Sequence, residues 1–158
     1  HWSAKGLRMS IQCEINGELT AQEVCDLTVA VGWNNPAKAG MDLLQRVWDE
    51  AACKVTARAD DGRLVGMCRA YWDGGFTATI VSVIVHPDLQ GQGIGRQMVA
   101  LLMEQIKQLG VYRVTLNAAQ GKERFYEQFG FRTREHVTPM IMHTDRREER
   151  ECPCCSRS

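Results

Sequence analysis

A short glycine-rich segment, residues 90–95, constrains the fold of this chain more than any other feature. It reads Gln-Gly-Gln-Gly-Ile-Gly and lies between a β-branched run, Thr77 to Val85, and an amphipathic helical pattern, Ile94 to Leu109. This order predicts a strand, a glycine loop and a helix. Glycines lack the Cβ atoms that hold a ligand away, and they let successive backbone N–H groups point into one concavity. The helix adds unpaired N–H donors and about half a positive charge, so the loop predicts a diphosphate site that needs no lysine or arginine.

Two other kinds of glycine loop do not fit these residues. A P-loop ends in Gly-Lys followed by Ser or Thr, whereas this loop continues as Gly95-Arg96-Gln97 and offers no hydroxyl for magnesium. A dinucleotide fingerprint that uses Gly91 and Gly93 needs a third glycine at position 96, which is Arg96. Nucleotide hydrolysis and Rossmann-type dinucleotide binding are therefore disfavoured.

The hydrophobic periodicity predicts one α/β domain with no internal repeat. The expected strands are Ser10–Ile15, Lys54–Ala59, Leu64–Trp72, Thr77–Val85, Tyr112–Asn117, Phe131–Arg134 and Val137–His143. The expected helices run from Thr20 to Val31, from Asn35 to Ala52, from Ile94 to Leu109 and from Lys122 to Phe129. Thr20 and Glu23 form a capping box, and Asn35 followed by Pro36 is typical of a helix start. Periodicity by itself supports a mixed sheet with helices on both faces.

Composition limits the classes of partner. The 158 residues include 19 Lys and Arg against 19 Asp and Glu, so no general charge attracts nucleic acid or an anionic membrane. The longest apolar run, Ile80 to Val85, is too short to span a bilayer, and no signal segment leads the chain, so we expect a cytoplasmic protein. Residues 1–8 are interpreted as a vector remnant, residues 9–143 as the domain and residues 144–158 as a disordered tail.

The seven cysteines predict neither a disulfide framework nor a metal site. Their number is odd, and the chain has no export signal. Four of them fall in predicted strands or helices and are interpreted as small buried hydrophobes: Cys13, Cys25, Cys53 and Cys68. Cys152 and Cys155 have a Cys-x-x-Cys spacing, but no second pair accompanies them.

The pattern Gln90-x-x-Gly93-x-Gly95 resembles the signature of the GCN5-related N-acetyltransferase (GNAT) family, in which the loop holds the pyrophosphate of acetyl-coenzyme A (acetyl-CoA). Two further segments agree in order and spacing. A hydrophobic strand ends in a proline turn at Pro87, and Asn117 precedes a Phe-Tyr-x-x-x-Gly-Phe segment at residues 125–131. The resemblance implies the acyl-CoA N-acyltransferase fold, a mixed and mostly antiparallel sheet with helices on both faces. Its central parallel strands splay apart to admit the cosubstrate.

The same resemblance implies an enzyme that transfers an acetyl group from acetyl-CoA to a primary amine, by direct attack of the bound amine and without a metal. The expected acceptor is a small molecule, such as an arylalkylamine, rather than a protein. The chain is compatible with a homodimer, which is common in the family. Three alternatives stay open: acetylation of a protein lysine or N-terminus, transfer of another acyl group, and a non-catalytic CoA-sensing module.

The resemblance also implies which residues contact the cosubstrate. The backbone of Val83, Ile84 and Val85 would hold the pantetheine arm. The loop residues Gln90, Gly91, Gln92, Gly93, Ile94, Gly95 and Arg96 would hold the pyrophosphate. Asn117 either caps its strand or hydrogen-bonds the cosubstrate. Tyr126 matches the family tyrosine that contacts the cosubstrate and protonates the departing thiolate; the structural alternative is a half-buried aromatic of a short helix.

The general base and the acceptor site are less well defined. Family members often place a glutamate on the central strand, but Thr77 to Val85 contains no carboxylate. His86 is the preferred candidate base, and Asp73 and Glu123 are alternatives by proximity. Four residues near the expected acceptor site could recognise an amine by stacking or cation–π contact, or, for the tryptophans, belong to the core: Trp33, Asn34, Tyr71 and Trp72.

Overall fold

The structure is a computed structural model that describes residues 9–144. Its contacts divide the chain after Asn117 into two compact units. The first contains β1 (Ile11–Ile15), α1 (Ala21–Ala30), α2 (Met41–Asp49), β2 (Cys53–Ala59), β3 (Leu64–Trp72), β4 (Thr77–Val85), α3 (Ile94–Gln108) and β5 (Arg113–Leu116). The second contains α4 (Glu123–Glu127). The predicted vector remnant and residues 145–158 of the predicted tail lie outside the described residues.

The five strands form one mixed sheet in the order β1-β2-β3-β4-β5. The first three pairings are antiparallel, and β4 pairs with β5 in parallel. Helices cover both faces, as neighbouring residues of β3 demonstrate. Met67 belongs to a core cluster with residues of α1 and α2, whereas an added Cβ at Gly66 would lie only 2.8 Å from Sδ of Met98 on α3. The predicted mixed sheet with helices on both faces is confirmed.

The start of α1 follows its sequence signal closely. Thr20 Oγ1 accepts a hydrogen bond from the Glu23 amide, and Glu23 Oε2 accepts one from the Thr20 amide. Glu23 also forms a 2.7 Å ion pair with Arg58 of β2, which lowers the pKa of the Glu23 carboxyl. The capping box therefore fixes the helix start and fastens it to the sheet.

The helix predicted from Asn35 to Ala52 is not continuous. Asn35 does act as a cap, since its side chain accepts a hydrogen bond from the Ala37 amide, but it caps only a 3₁₀ turn, Pro36–Ala39. Gly40 then adopts a φ of 104° and a ψ of 132°, which no helix accommodates, and α2 begins after it. The prediction was wrong because it carried helical spacing across this glycine.

The two strands predicted at Phe131–Arg134 and Val137–His143 are also wrong. Within residues 9–144 no strand follows Leu116. Both predicted segments are largely exposed, and Met140 is 93% exposed. Pro139 has no N–H to give to a ladder, and three consecutive apolar residues at 140–142 break the alternation of a half-buried strand.

The buried cysteines follow the prediction in most positions. Cys25, Cys53 and Cys68 are buried and Cys13 is partly buried, and all four are free thiols. The predicted role of Cys152 to Cys155 lies outside the described residues. Over residues 9–144, no helix has the length and hydropathy needed to cross a membrane. No cluster of three or more metal-ligating side chains occurs in the same stretch.

Candidate functional site

The central feature of the first unit is a fork between β4 and β5. Residues Thr77 to Ile80 pair with Arg113 to Leu116, and a 2.9 Å hydrogen bond joins the hydroxyls of Thr79 and Thr115. Beyond Ile80, β4 continues for five residues with no strand beside it on that edge among the described residues. The predicted parallel pair that splays apart is therefore present. Peptide groups along this edge are available to a ligand.

A β-bulge lies at the fork, and the sequence carries no signal for it. Ser82 has a φ of 55°, although it is neither glycine nor asparagine. Met67 pairs with Ile84 and Arg69 pairs with Val81, so Ser82 and Val83 together oppose the single residue Cys68. Such a bulge bends its strand and redirects the peptide groups that follow. The bulge therefore changes the direction of the peptide groups of β4 just beyond Ile80, the last residue that pairs with β5.

The glycine loop has the conformation expected for an anion site. Gly91 and Gly93 have φ values of 77° and 85°, and no atom lies within 4 Å of a Cβ built on either. Gly93 is the N-cap residue of α3, a helix of 15 residues whose start has no side-chain cap. No backbone N–H from residue 91 to residue 96 has an acceptor within the described part of the chain. The loop therefore has unpaired N–H donors and open space at Gly91 and Gly93.

The loop is held to the strand that precedes it. The Gln90 side-chain amide donates a 3.0 Å hydrogen bond to the Val85 carbonyl, the last of β4. This contact gives the glutamine a structural role that the sequence alone did not reveal. The Ile94 side chain is buried in the core, whereas Arg96 is exposed. The apolar side chain of the loop therefore does not block access to its backbone. The residues present fit the diphosphate of a coenzyme A molecule.

The last residues of β4 combine the two roles considered for them. Ile84 is buried in the core cluster that α1 and α2 form with the sheet, and Val83 and Val85 are half-buried. Their side chains therefore support the fold. Only the peptide groups that point away from β3 lie on the open edge, and the Val85 carbonyl already accepts a hydrogen bond from Gln90. The cosubstrate role of Val83, Ile84 and Val85 stays a prediction about backbone atoms.

Asn117 and Tyr126 fall in different compact units. Asn117 is exposed and directly follows β5. Tyr126 lies on α4, half-buried, with its ring centre 4.9 Å from that of Phe125 and 6.1 Å from that of Phe131, both in edge-to-face contact. The cluster holds the tyrosine ring within its own unit. The roles of both residues in chemistry stay predictions.

The three candidate bases have different environments. His86 Nδ1 accepts a 3.2 Å hydrogen bond from the Asp88 amide, so deprotonating an amine at that nitrogen would break this bond. The Asp73 carboxylate accepts hydrogen bonds from the amides of residues 75–77, and these bonds lower its pKa. Glu123 Oε1 accepts one from Gly121, within the second unit. The geometry makes Asp73 a turn anchor and a weak base.

The four predicted acceptor residues are all solvent-accessible. Trp33, Tyr71 and Trp72 are 47%, 53% and 38% exposed, so neither tryptophan belongs to the core, and Asn34 is exposed beside Trp33. Tyr71 and Trp72 are consecutive in β3, and their side chains therefore point to opposite faces of the sheet. One acceptor pocket cannot be lined by both.

Arg69 is a residue of this region that the sequence analysis overlooked. Its guanidinium carbon lies 5.6 Å from the ring centre of Trp48 on α2. Its Nε is buried and has no hydrogen-bond acceptor within residues 9–144. Burial lowers the pKa of the guanidinium, and the neighbouring Tyr71 raises it. Since Arg69 pairs with Val81, an uncompensated positive charge lies beside the fork, on the face of the sheet that α2 covers.

Comparison with known proteins is consistent with this geometry. The model of the acetyltransferase (GNAT) family matches residues 24–131. An uncharacterized N-acetyltransferase of Gracilaria tenuistipitata is 40% identical over 132 residues, which cover 82% of this chain and 71% of that protein. A second uncharacterized N-acetyltransferase, from Pyropia yezoensis, is 31% identical over 110 residues, or 70% of this chain. The chain spans only 62% of the length of this second relative.

A solved structure extends the likeness to three dimensions. A GNAT-family acetyltransferase of Streptococcus pneumoniae superposes with a TM-score of 0.70 and 25% sequence identity. The alignment covers 85% of this chain and 98% of that one. The fold predicted from the sequence is therefore the fold of this chain.

Proposed function

The chain belongs to the GNAT family of acetyltransferases, and from that premise we propose that it transfers an acetyl group from acetyl-CoA to a primary amine. The observation that carries the proposal is the continuity of the β4 edge with the glycine loop. On its edge away from β3, residues 81–85 of β4 have no neighbouring strand within the described residues, and the loop that follows supplies unpaired N–H donors. In a coenzyme A molecule the pantetheine arm is followed by a diphosphate. The arm can hydrogen-bond a strand edge, and the diphosphate requires N–H donors. Family members use acetyl-CoA as the cosubstrate.

The proposed reaction is direct attack of the amine nitrogen on the thioester carbon. A nitrogen–carbon bond forms, the carbon–sulfur bond breaks, and the departing thiolate takes a proton. Peptide N–H groups of β4 beside the bulge are suited to stabilise the oxyanion that develops on the carbonyl oxygen. Tyr126 is the proposed donor of the proton to the thiolate. No covalent enzyme intermediate is required.

Removal of the proton from the amine is the more demanding step. An alkylamine with a pKa near 10.4 is only about 0.1% neutral at pH 7.4, a handicap of roughly 4 kcal/mol. Strand β4 contains no carboxylate, and His86 Nδ1 already accepts a hydrogen bond. We therefore favour a route in which water carries the proton away or the acceptor amine has a lowered pKa. An arylamine would need no base.

The reaction is tested by thiol release. Purified protein should release free coenzyme A only when acetyl-CoA and a suitable primary amine are both present. The acetylated amine should be heavier by about 42 Da, the mass of an acetyl group less the hydrogen atom that it replaces. A CoA-sensing module would bind acetyl-CoA and never release thiol. Faster release with a longer acyl-CoA, or only with a lysine peptide, would replace the small-amine reading with one of the other two alternatives.

The role of Tyr126 is tested by removal of its hydroxyl. Tyr126→Phe keeps the ring and its contacts with Phe125 and Phe131. We expect kcat to fall by about tenfold to a thousandfold, while the Kd for acetyl-CoA stays the same. The loss is limited because the thiolate of a thiol with a pKa near 8.5 is a tolerable leaving group even without an acid. Tyr112→Phe, at an exposed ring stacked on Phe76, is the matched control and should have normal turnover. Normal turnover in Tyr126→Phe would remove the assignment.

A further inference from the structure

We propose that Arg69 binds an anionic oxygen group of the acceptor, so that the preferred acceptors are amines that also carry a carboxylate or a phosphate. The inference rests on the proposed acetyl transfer and names the substrate class of the same site. Arg69 would then be a specificity-determining residue, positioned by Trp48 and β3.

The first step in the argument is the unmet requirement of this guanidinium. Arg69 is half-buried, and a buried N–H donor without an acceptor costs free energy. Arg69 has a buried Nε with no acceptor, and it forms no ion pair with any residue between 9 and 144. The guanidinium lies over the face of the Trp48 ring. This cation–π contact orients the guanidinium but supplies no lone pair to its N–H groups.

Two other arginines of the same hairpin have their charges met. Arg58 Nη1 and Nη2 bind Glu23 at 2.7 and 3.1 Å, and both also bind main-chain carbonyls. Arg63 Nε donates a 2.6 Å hydrogen bond to Asp61. The fold thus supplies carboxylates to arginines elsewhere in β2 and the β2–β3 turn. Of the three arginines in this hairpin, Arg69 alone has no carboxylate partner within residues 9–144.

The position of Arg69 identifies the acceptor, and not the cosubstrate, as the source of the anion. Arg69 is paired with Val81, beside the bulge and the start of the fork. Val81 and Val85 pair with Arg69 and Gly66, which are three residues apart on β3, so about 10 Å separates them, and the glycine loop begins still further on. The diphosphate would lie at the loop. The group at the fork itself is the acyl carbon and the amine that attacks it.

The chemistry of the guanidinium sets the class of ligand. Its planar N–H fork matches a carboxylate or phosphate in a bidentate manner, and a site that excludes water strengthens the contact. Tyr71 is exposed and lies two residues further along β3, on the same face of the sheet as Arg69. An anionic acceptor could therefore contact both side chains with its acid group while its amine faces the fork.

The test compares acceptors that differ only in the acid group. Phenylalanine and 2-phenylethylamine differ by a carboxylate, and phosphoethanolamine and ethanolamine differ by a phosphate, so the two pairs distinguish the two sources of anionic oxygen. The wild-type protein should favour the acidic member of at least one pair. Arg69→Gln should lower kcat/KM for that acceptor by about 30-fold, mainly through KM, and should change kcat/KM for its neutral counterpart by less than threefold. Arg69→Lys should recover part of the loss.

Three controls separate this role from others. Arg63→Gln removes an arginine from the exposed turn and should leave every acceptor unaffected. Thermal unfolding reports whether Arg69→Gln is folded. Calorimetric titration of phenylalanine and of phosphoethanolamine, in the presence of coenzyme A, measures acceptor binding without turnover, and the heat should disappear in Arg69→Gln.

Several results would overturn the inference. Equal loss of activity on acidic and neutral acceptors would mean that Arg69 supports the fold or the thioester. A weaker Kd for coenzyme A in Arg69→Gln would mean that it holds the cosubstrate. If no amine of any kind releases thiol, the proposed acetyl transfer fails; the titrations then decide the anion site alone, and equal heats in both proteins reject it.

Discussion

Gly93→Ala should weaken acetyl-CoA binding by about 100-fold, which corresponds to a loss of about 2.7 kcal/mol. A Cβ at this position has no atom of the described chain within 4 Å and would add bulk to the loop whose backbone N–H groups we propose as the diphosphate site. It would hold a diphosphate away from donors whose hydrogen bonds to a charged group are worth about 1.5–3 kcal/mol each. Isothermal titration calorimetry with acetyl-CoA measures the loss directly.

Gly62→Ala is the matched control for this experiment. Gly62 has a φ of 84°, against 85° for Gly93, and it too has open space at its Cβ. Both variants therefore carry the same backbone strain, about 1–2 kcal/mol, but Gly62 lies in the turn between β2 and β3. Gly62→Ala should bind acetyl-CoA as the wild type does. Binding within threefold of wild type in Gly93→Ala would reject the loop as the diphosphate site.

Trp48→Ala should have the largest effect on stability, a loss of about 3–5 kcal/mol in the free energy of unfolding. The Trp48 side chain is 1% exposed and is the largest fully buried one in the described chain. It anchors α2 to the sheet, and its removal would leave a cavity that small shifts cannot fill. Urea denaturation followed by far-ultraviolet circular dichroism gives the change in unfolding free energy.

Two further variants give this result a specific meaning. Trp33→Ala removes an indole that is 47% exposed and should cost less than about 0.5 kcal/mol. Trp48→Phe keeps an aromatic face beneath Arg69 and should lose less stability than Trp48→Ala. A loss below about 1.5 kcal/mol for Trp48→Ala would contradict its place at the centre of the core.

Much of this fold was predictable because its signals are local. The alternation of β2, β3 and β4, the capping box at Thr20 and the apolar stripe of α3 each lie within one short segment. The glycine loop was predictable for the same reason, since its neighbours define it as a turn from strand to helix. The conformation of the loop could therefore be predicted from consecutive residues, and its role in binding the cosubstrate stays a prediction.

The remaining features depend on residues far apart in the chain. The bulge at Ser82 follows from the register of β4 against β3, and Ser82 itself has no residue type that favours a left-handed φ. The contact of Arg69 with Trp48 joins residues 21 positions apart, so alternation within β3 could not reveal it. The two terminal strands were predicted wrongly for the same reason. Their apolar residues suggested strands, but within residues 9–144 neither segment pairs with the sheet.

The short pairing of β4 with β5 also affects how substrate preference can evolve in such a chain. A ligand that runs along an open strand edge is recognised by the path of the main chain, and most side chains that preserve this path are acceptable there. We propose that recognition of the acceptor amine depends instead on individual side chains, such as Arg69, that project from the neighbouring strand. Preference for one reactant can therefore drift while preference for the other is inherited intact.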